Sequence, residues 1–252
     1  MFMEKIEVFG VKFDDLTIDE ALEKIQGFVV LPYSEFVVRA QKDEKFKNIL
    51  NSADFCLCES RGLYLVARFL GRKLKGNISG VELIYRLCGK SEFRISNFES
   101  NSNFKNYKIQ SKFKIKNSKL FLYGGRDEVV KKTAEKLGDS VIGYEHGYQD
   151  TDKVVDKINL VKPDVLLVGL GSPKQEKFIS ENLKKMPSVK LAIGVGGAFD
   201  FISGHVKRAP RFLQKIGLEW LWRLILEPKR VKRIYNGVFK LGFLVIKGKI
   251  FR

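Results

Sequence analysis

The chain has 252 residues, enough for one sizeable domain with an appendage or for two small domains, which excludes a peptide module or an isolated tail. Hydrophobic residues make up 44% and charged residues 30%, which excludes intrinsic disorder and the collagen-like and coiled-coil classes for the bulk of the chain. The 46 Lys and Arg outnumber the 29 Asp and Glu, and the net charge of +17 favours an anionic partner such as nucleic acid, a phosphorylated metabolite or acidic lipid.

Apolar runs of strand length alternate with amphipathic stretches of helix length, a pattern that predicts an α/β fold with a parallel or mixed sheet between helices. Thr17 and Glu20 have the spacing of a capping box for a helix through about Gln26, and Ser34 is predicted to cap a helix that ends near Leu50. In chain order, the predicted strands are IEVFGVKF from Ile6, FCLC from Phe55, KLFLYGG from Lys119, VIGYEH from Val141, DVLLVGLG from Asp164 and KLAIGVGG from Lys190.

Composition divides the chain into a core, an insertion and an appendage. Residues 1–202 are predicted to form the core, and residues 91–118, rich in Asn, Ser and Lys, a variable insertion within it. Residues 203–252 carry 13 Lys or Arg against two acids. They include an apolar stripe at helical spacing from Val231 to Val245, flanked by lysines. A basic amphipathic helix of this kind suits an anionic membrane surface, or packs on the body or on another subunit, and composition leaves both interpretations open.

The few cysteines and histidines indicate a reducing compartment and no structural metal. Cys56, Cys58 and Cys88 form no zinc spacing with the two histidines, and a Cys-x-Cys pair in an apolar run has poor disulfide geometry. The N-terminus lacks the features of a signal peptide, and no run reaches the roughly 18 apolar residues of a membrane-spanning helix. We expect any contact with a membrane to be made from its cytoplasmic surface.

Three predicted strands end in glycines. Glycine at such a position lets backbone N–H groups approach a phosphate or nucleotide, and ligands of open α/β sheets gather at the carboxyl ends of strands. The glycines together suggest a nucleotide-type ligand, although a tight turn is the commoner reason for any one of them, and none fits a Walker loop or Gly-x-Gly-x-x-Gly. The candidate positions are Gly124, Gly169, Gly171, Gly196 and Gly197.

Polar residues near the same strand ends are the further candidates. Gln175 and Glu176 lie at the start of a helix above the DVLLVG strand, where they would face the cleft or form a solvated helix face. Asp200, between two phenylalanines, is either functional or a helix cap. Glu59 follows the FCLC strand, where a general base would stand, although a surface salt bridge to a nearby arginine is the commoner role.

The appendage also concentrates arginines near Trp220 and Trp222. Because a guanidinium binds phosphate oxygens in pairs, several arginines together could hold a diphosphate. The candidates are Arg208, Arg223, Arg230 and Arg233.

Five segments resemble the WecG/TagA/CpsF family of bacterial glycosyltransferases. They are PDVLLVGLGSPKQEKFI from Pro163, IGVGGAFDFISGHVKRAP from Ile193, GLEWLWRLILEPKRVKR from Gly217, ADFCLCESRG from Ala53 and ISGVEL from Ile78. The resemblance covers nearly the whole chain except the insertion. It implies a Rossmann-like, mostly parallel sheet flanked by helices, with a basic helical C-terminal appendage.

The resemblance also implies a reaction. An N-acetylhexosamine, typically N-acetylmannosamine, would move from UDP to a polyprenyl-diphosphate-linked GlcNAc, with inversion and without a metal or other cofactor, in cell-surface polysaccharide or teichoic-acid-type synthesis. The expected partners are the UDP-sugar, the lipid-linked acceptor and an anionic membrane surface, with a homo-oligomer left open and no nucleic acid. The expected location is the cytoplasm, peripherally on the inner face of the cell membrane.

The family's motifs assign roles to individual residues. The catalytic-base aspartate of the family falls on Glu59, the position that stacks the nucleotide base falls on Tyr148, and Asp200 falls where a carboxylate addresses the nucleoside. The family's C-terminal arginines would neutralise the departing diphosphate. They fall on Arg223, Arg230 and Arg233.

The chain departs from the family pattern at three places. Tyr33 stands where the family commonly has asparagine, Glu59 and Ser60 replace an Asp-Gly pair, and Glu82 replaces an aspartate. These changes indicate either a subclass with a different sugar or acceptor, or a catalytically impaired homologue that binds UDP-sugars. A third alternative, a nucleic-acid-binding protein that uses the basic appendage, leaves the glycine-bearing strand ends unexplained.

Overall fold

The computed structural model describes residues 5–89 and 118–250, except for the side chains of Arg211, Lys215, Arg230 and residues 248–250. The predicted insertion therefore lies outside the described residues, apart from Ser118. The described strands are β1 Ile6–Val8, β2 Val11–Phe13, β3 Gly27–Val30, β4 Phe55–Cys56, β5 Leu120–Gly124, β6 Val141–Glu145, β7 Val165–Gly169 and β8 Leu191–Gly194. The described α-helices are α1 Ile18–Lys24, α2 Ser34–Ala40, α3 Glu44–Ser52, α4 Arg61–Phe69, α5 Gly80–Leu87, α6 Asp127–Leu137, α7 Thr151–Val161, α8 Lys174–Asn182, α9 Ala198–Ser203, α10 Arg211–Lys215, α11 Glu219–Leu226 and α12 Val231–Ile250.

Six of the strands form one sheet in the order β4-β3-β8-β7-β5-β6, and every neighbouring pair is parallel. The predicted α/β class, with a mostly parallel sheet between helices and a helical C-terminus, is confirmed. Because all six strands run in the same direction, their carboxyl ends share one edge of the sheet.

Helices cover both faces of the sheet, and a separate hydrophobic core lies under each. One core includes residues of α2, α3, α7 and α8, and the other includes residues of α1, α5, α6 and α9. The chain therefore leaves β3 and β7 toward one face and β5 and β8 toward the other. These four strands are neighbours in the order β3-β8-β7-β5, so consecutive ones send their helices in opposite directions, the arrangement in which α/β sheets bind ligands at the carboxyl edge.

Three local predictions differ from the structure. The first predicted strand is a hairpin of β1 and β2, because Phe9 and Gly10 both adopt positive φ at its turn. The predicted helix from Ser34 divides into α2 and α3, and the side chain of Asp43 caps the second of them. The central strand β3 was not predicted, although a short apolar run bounded by Gly27 and Pro32 is its signal. The capping box of Thr17 and Glu20 is confirmed.

The C-terminal segment, defined here as residues 203–250, packs over the body through α10, α11 and α12. Leu241 of α12 is buried in the core that includes α2, and Val245 is buried as well. Gly237 lies so close to α2 that an added Cβ would be 3.4 Å from the backbone nitrogen of Glu35. A second face of α12 is exposed. It presents Val231, Tyr235, Phe239, Phe243 and Ile246.

Among the described residues, none of the helices combines the length and the apolar character that crossing a membrane requires.

Replacement of Gly124 by alanine is expected to destabilise the fold, because an added Cβ would lie 2.4 Å from the carbonyl carbon of Gly169 and φ is +127°. We expect the free energy of unfolding in urea to fall by about 3 kcal/mol. Gly76→Ala is the matched control, since no described atom lies within 4 Å of its added Cβ. Equal urea midpoints for the two variants would contradict this packing argument.

Candidate functional site

The sheet order places the predicted site residues along one edge. From one side to the other, this edge carries Glu59 after β4, Tyr33 after β3, the glycines that follow β8, β7 and β5, and Tyr148 after β6. The loop after β6 folds back over its neighbours, because Gly147 donates a hydrogen bond of 2.9 Å to the carbonyl of Gly125. This hydrogen bond joins the loop that carries Tyr148 to the turn after β5.

Gly124 and Gly169 lie where a larger side chain would collide with a neighbouring element. A Cβ on Gly169 would lie 2.6 Å from the ring of Phe199, and a Cβ on Gly124 would enter the backbone of Gly169. By contrast, Gly171 and Gly196 have positive φ, and no described atom lies within 4 Å of the Cβ position of either. The open glycines are therefore the ones a ligand can approach closely.

The side chain of Gln175 links the turns after β7 and β8. Its Oε1 accepts hydrogen bonds from the backbone N–H of Gly171, at 3.2 Å, and of Gly196, at 3.0 Å. Its Nε2 donates to Oε1 of Glu176 at 2.6 Å. Both side chains were predicted at the cleft or on a solvated face, but Gln175 is 2% exposed and Glu176 is completely buried. Glu176 therefore cannot touch a ligand in this conformation, and Gln175 reaches the site through the two turns.

Glu59 is a partly buried carboxylic acid whose position is well defined. Its backbone N–H donates to the carbonyl of Pro32 after β3, and its own carbonyl accepts from the side chain of Asn77. Its Oε1 accepts a hydrogen bond of 3.3 Å from the N–H of Gly80, the first residue of α5. A Cβ at Gly80 would lie 3.0 Å from this oxygen, so glycine lets the carboxyl approach the start of α5 without being displaced.

Burial raises the pKa of the Glu59 carboxyl to about 7, and the charge of Glu219 raises it as well. The hydrogen bond from Gly80 and the charges of Arg208 and Arg223 lower that pKa, and burial prevails. A carboxyl with this pKa is half ionised near neutral pH, where a general base works best. Glu219, Arg208 and Arg223 all belong to the C-terminal segment, so it is this segment that brings charged groups near Glu59.

Arg208 joins the C-terminal segment to the loop that holds Glu59. Its Nη2 donates to Oγ of Ser79 at 3.1 Å, and its Nε lies 3.4 Å from Oε1 of Glu219. Ser79 directly precedes Gly80, the first residue of α5, whose N–H binds Glu59. Two hydrogen bonds, one to Ser79 and one from Gly80, therefore connect Arg208 to the candidate base.

Arg223 of α11 lies over the turn that follows β8. Its Nη2 is 3.2 Å from Oδ2 of Asp200, its Nε donates to Glu227 at 2.9 Å, and its guanidinium carbon is 4.4 Å from the ring centroid of Phe201. A Cβ at Gly197 would lie 3.1 Å from Nη2 of Arg223. The glycine turn after β8 is thus in contact with a cation.

Arg233 of α12 is held at the end of β3. Its Nε donates to Oε2 of Glu35 at 2.6 Å, and its Nη2 donates to the hydroxyl of Tyr33, which also donates to Glu35 at 3.1 Å. Burial lowers the pKa of Arg233. The side chain of Arg230, predicted to bind diphosphate, lies outside the described residues. The structure therefore places Arg208 and Arg223 near Glu59 and pairs Arg233 with Tyr33 and Glu35.

The ring of Tyr148 is 80% exposed, and its backbone N–H donates to Nδ1 of His146. An exposed aromatic ring on the loop that folds back over the edge is open to stacking by a planar ligand.

Sequence reasoning missed four residues that build the site. Ser79 and Gly80 lie in the ISGVEL segment, where a serine before a helical run is an ordinary cap signal that points to no ligand. Glu219 and Glu35 are ordinary acids in sequence. Only their contacts with Arg208 and Arg233 place them in the site.

Comparison with models of known protein families identifies one family that this chain matches. The model of the glycosyl transferase WecG/TagA/CpsF family matches residues 6–98 and 108–252. The chain belongs to this family. The match confirms the resemblance based on the segments from Ala53, Ile78, Pro163, Ile193 and Gly217, and it spans the sheet edge and the C-terminal segment together.

Three similar proteins carry the name N-acetylglucosaminyldiphosphoundecaprenol N-acetyl-beta-D-mannosaminyltransferase. The protein from Bacillus spizizenii is 32% identical over 83% of this chain and 75% of its own length. The protein from Bacillus subtilis (strain 168) is 32% identical over 89% of this chain and 81% of its own. A protein from Staphylococcus aureus is 27% identical over 91% of this chain and 88% of its own length.

The raised pKa of Glu59 predicts a pH-dependent effect on stability. In the unfolded chain this carboxyl ionises near its ordinary value of 4.5, whereas in the folded protein it keeps its proton up to about pH 7. The folded state therefore binds more protons between these values, and stability falls as pH rises through this window. Glu59→Gln removes the titration, so its thermal midpoint relative to the wild type is expected to be higher at pH 8 than at pH 5.

Glu23→Gln, at an exposed position on α1, is the control for the loss of one negative charge. A difference between Glu59→Gln and the wild type that stays constant from pH 5 to pH 8 would exclude a raised pKa at Glu59.

Proposed function

We propose that the protein is an inverting, metal-independent glycosyltransferase that moves an N-acetylhexosamine, typically N-acetylmannosamine, from UDP to a polyprenyl-diphosphate-linked GlcNAc. The observation that carries the proposal is a carboxyl, Glu59, that lies at the carboxyl edge of a parallel sheet, accepts a hydrogen bond from Gly80 and is connected through Ser79 to Arg208 of the C-terminal segment. The names of the similar mannosaminyltransferases support the same acceptor and sugar.

Glu59 is the general base in this proposal. Its carboxylate removes the proton from the acceptor hydroxyl as the hydroxyl oxygen forms a bond to C1 of the donor sugar. The bond between C1 and the β-phosphate oxygen breaks, and its electron pair leaves with UDP. Attack from the face opposite to the leaving group inverts C1. The pKa of about 7 supports this role, since a base matched to the working pH is most effective.

The departing diphosphate needs positive charge, and we assign that work to Arg208 and Arg223. Fixed cations in a partly desolvated site stabilise developing negative charge more strongly than water does. Both arginines are held in place by acids, Arg208 by Glu219 and Arg223 by Asp200 and Glu227. The diphosphate would share or replace these acidic partners without moving the arginines far. Such a clamp supports transfer without a metal.

The donor would lie along the edge of the sheet. Its phosphates would meet the open turns at Gly171 and Gly196, where a ligand can approach the backbone closely. The exposed ring of Tyr148 would stack on the uracil, and Asp200 would address the nucleoside. The hydrogen bond from Gly147 to Gly125 supports this arrangement, because it joins the loop that carries Tyr148 to the glycine turn after β5.

The acceptor is carried by a lipid, and we propose that the exposed face of α12 meets the inner surface of the cell membrane. Phe239 and Phe243 are 59% and 68% exposed, and lysines flank their stripe. Aromatic side chains beside lysines suit the boundary between headgroups and acyl chains of an anionic bilayer. The opposite face of α12 packs on the body, so binding would bring the edge of the sheet close to the lipid.

Glu59→Gln is expected to reduce the rate of UDP release from UDP-N-acetylmannosamine, with lipid-diphosphate-GlcNAc present, by about 10³-fold, because the amide cannot accept the proton. The Kd for the donor should change by less than about threefold, since the amide keeps the shape of the carboxyl. Calorimetry with UDP-sugar and a coupled UDP assay give the two values. Glu23→Gln is the control.

No UDP release by the wild type with any UDP-N-acetylhexosamine would contradict the proposed function. Full activity of Glu59→Gln would instead contradict the assignment of the base and leave the transferase proposal standing.

The double variant Phe239→Ser, Phe243→Ser is expected to bind vesicles of phosphatidylcholine and phosphatidylglycerol at least about tenfold more weakly, because each buried phenylalanine contributes roughly 1.5–3 kcal/mol. Leu160→Ser is the matched control, since Leu160 is 80% exposed on α7, away from this stripe. Sedimentation with vesicles measures the affinity. Equal binding by both variants would exclude the exposed face of α12 as the membrane contact.

A further inference from the structure

The contact between α8 and the turns after β7 and β8 contains a fully buried acid that the proposed reaction does not use. Glu176 has no exposed surface, yet its Oε1 accepts a short hydrogen bond of 2.6 Å from Nε2 of Gln175. Its Oε2 has no hydrogen-bond partner among the described residues. Burying a carboxyl at such a position costs free energy, and the hydrogen bond to Gln175 offsets part of that cost.

That hydrogen bond and the N–H groups of the two turns favour the same orientation of the Gln175 amide. With Nε2 directed at Glu176, Oε1 points to the N–H groups of Gly171 and Gly196 and accepts from both. The opposite orientation would place the NH₂ group against two donors and the oxygen against a carboxyl. An apolar side chain at 176 would leave Nε2 of Gln175 buried without its acceptor and would remove one of the contacts that hold the amide in this orientation.

The end of β8 is fitted to this pair of side chains. A Cβ at Gly194 would lie 2.8 Å from Nε2 of Gln175 and 3.2 Å from Oε1 of Glu176. The pair therefore packs directly against the strand that leads into the turn at Gly196. A change in either side chain would be transmitted to that turn by contact.

We propose that Glu176 is a positioning residue that acts through Gln175. It holds the Gln175 amide in the orientation that bonds to both turns, so that the turns at Gly171 and Gly196 keep the spacing that the donor's phosphates require. Glu176 touches no substrate itself. The inference rests on the proposed function for the identity of the donor, whereas the geometry of the two turns can be tested without it.

Burial raises the pKa of the Glu176 carboxyl to about 7, and the hydrogen bond from Gln175, the nearby hydroxyl of Ser172 and the charge of Arg39 lower it. Both the ionised and the protonated carboxyl can keep Oε1 as an acceptor. The orienting hydrogen bond is therefore compatible with either protonation state, and a neutral glutamine at this position can supply it as well.

Two substitutions separate orientation from packing. Glu176→Gln keeps an acceptor oxygen and is expected to hold the donor KM within about threefold of the wild type, whereas Glu176→Met removes the acceptor and is expected to raise KM about tenfold with kcat little changed. Hydrogen exchange of the Gly171 and Gly196 amides, followed by NMR, should accelerate about tenfold in Glu176→Met alone.

Asn182→Leu is the matched control, because Asn182 is buried on the same helix and its side chain bonds to the carbonyl of Phe178 and to Nζ of Lys185 rather than to either turn. It should lower the thermal midpoint without changing donor KM or the exchange of the two glycine amides. In a Gln175→Met background, Glu176→Met should have no further effect on KM, since the residue it acts through is already absent.

The proposal is overturned if Glu176→Met leaves KM and amide exchange unchanged, if Asn182→Leu raises KM equally, or if Glu176→Met keeps its full effect without Gln175. A wild type that turns over no UDP-sugar would contradict the proposed function instead. The exchange experiment would then still decide whether Glu176 positions the two turns.

Discussion

A parallel sheet is stable only when both of its faces are covered, and this requirement shapes the whole molecule. The helices of this chain meet it by covering both faces, because β3 and β7 lead toward one hydrophobic core and β5 and β8 lead toward the other. The carboxyl edge of the sheet lies outside these two covered faces. Glu59, Tyr33 and the glycine turns are consequently collected on one line, and the C-terminal segment closes over part of it.

Pairing of charges on this edge explains how a strongly basic segment can be held near the site. Arg208, Arg223 and Arg233 each contact a carboxylate, so their orientation is set before any ligand arrives. A cation that is already oriented needs little reorganisation when a diphosphate replaces or shares its partner. Acidic residues that look incidental in sequence, such as Glu219 and Glu35, therefore help to place these cations.

Two buried carboxyls with similar pKa values have different surroundings. Glu59 and Glu176 both titrate near pH 7 because burial disfavours their charged forms. Glu59 lies at the edge of the sheet with arginines close by, whereas Glu176 lies entirely inside and bonds to Gln175. A raised pKa alone would not distinguish a base from a positioning group. The position of each carboxyl relative to the open edge does distinguish them.

Local sequence patterns determined the alternation of strands and helices, the capping box at Thr17, the glycine-bearing strand ends and the basic character of the last fifty residues. The tertiary structure alone decided the strand order that aligns Glu59 with those glycines, the burial of Glu176 and the pairing of Arg233 with Tyr33 and Glu35. Periodicity and capping depend on neighbours a few residues away, so they can be read along the chain. Burial and charge pairing depend on residues as far apart as Tyr33 and Arg233, which meet only when the two cores form.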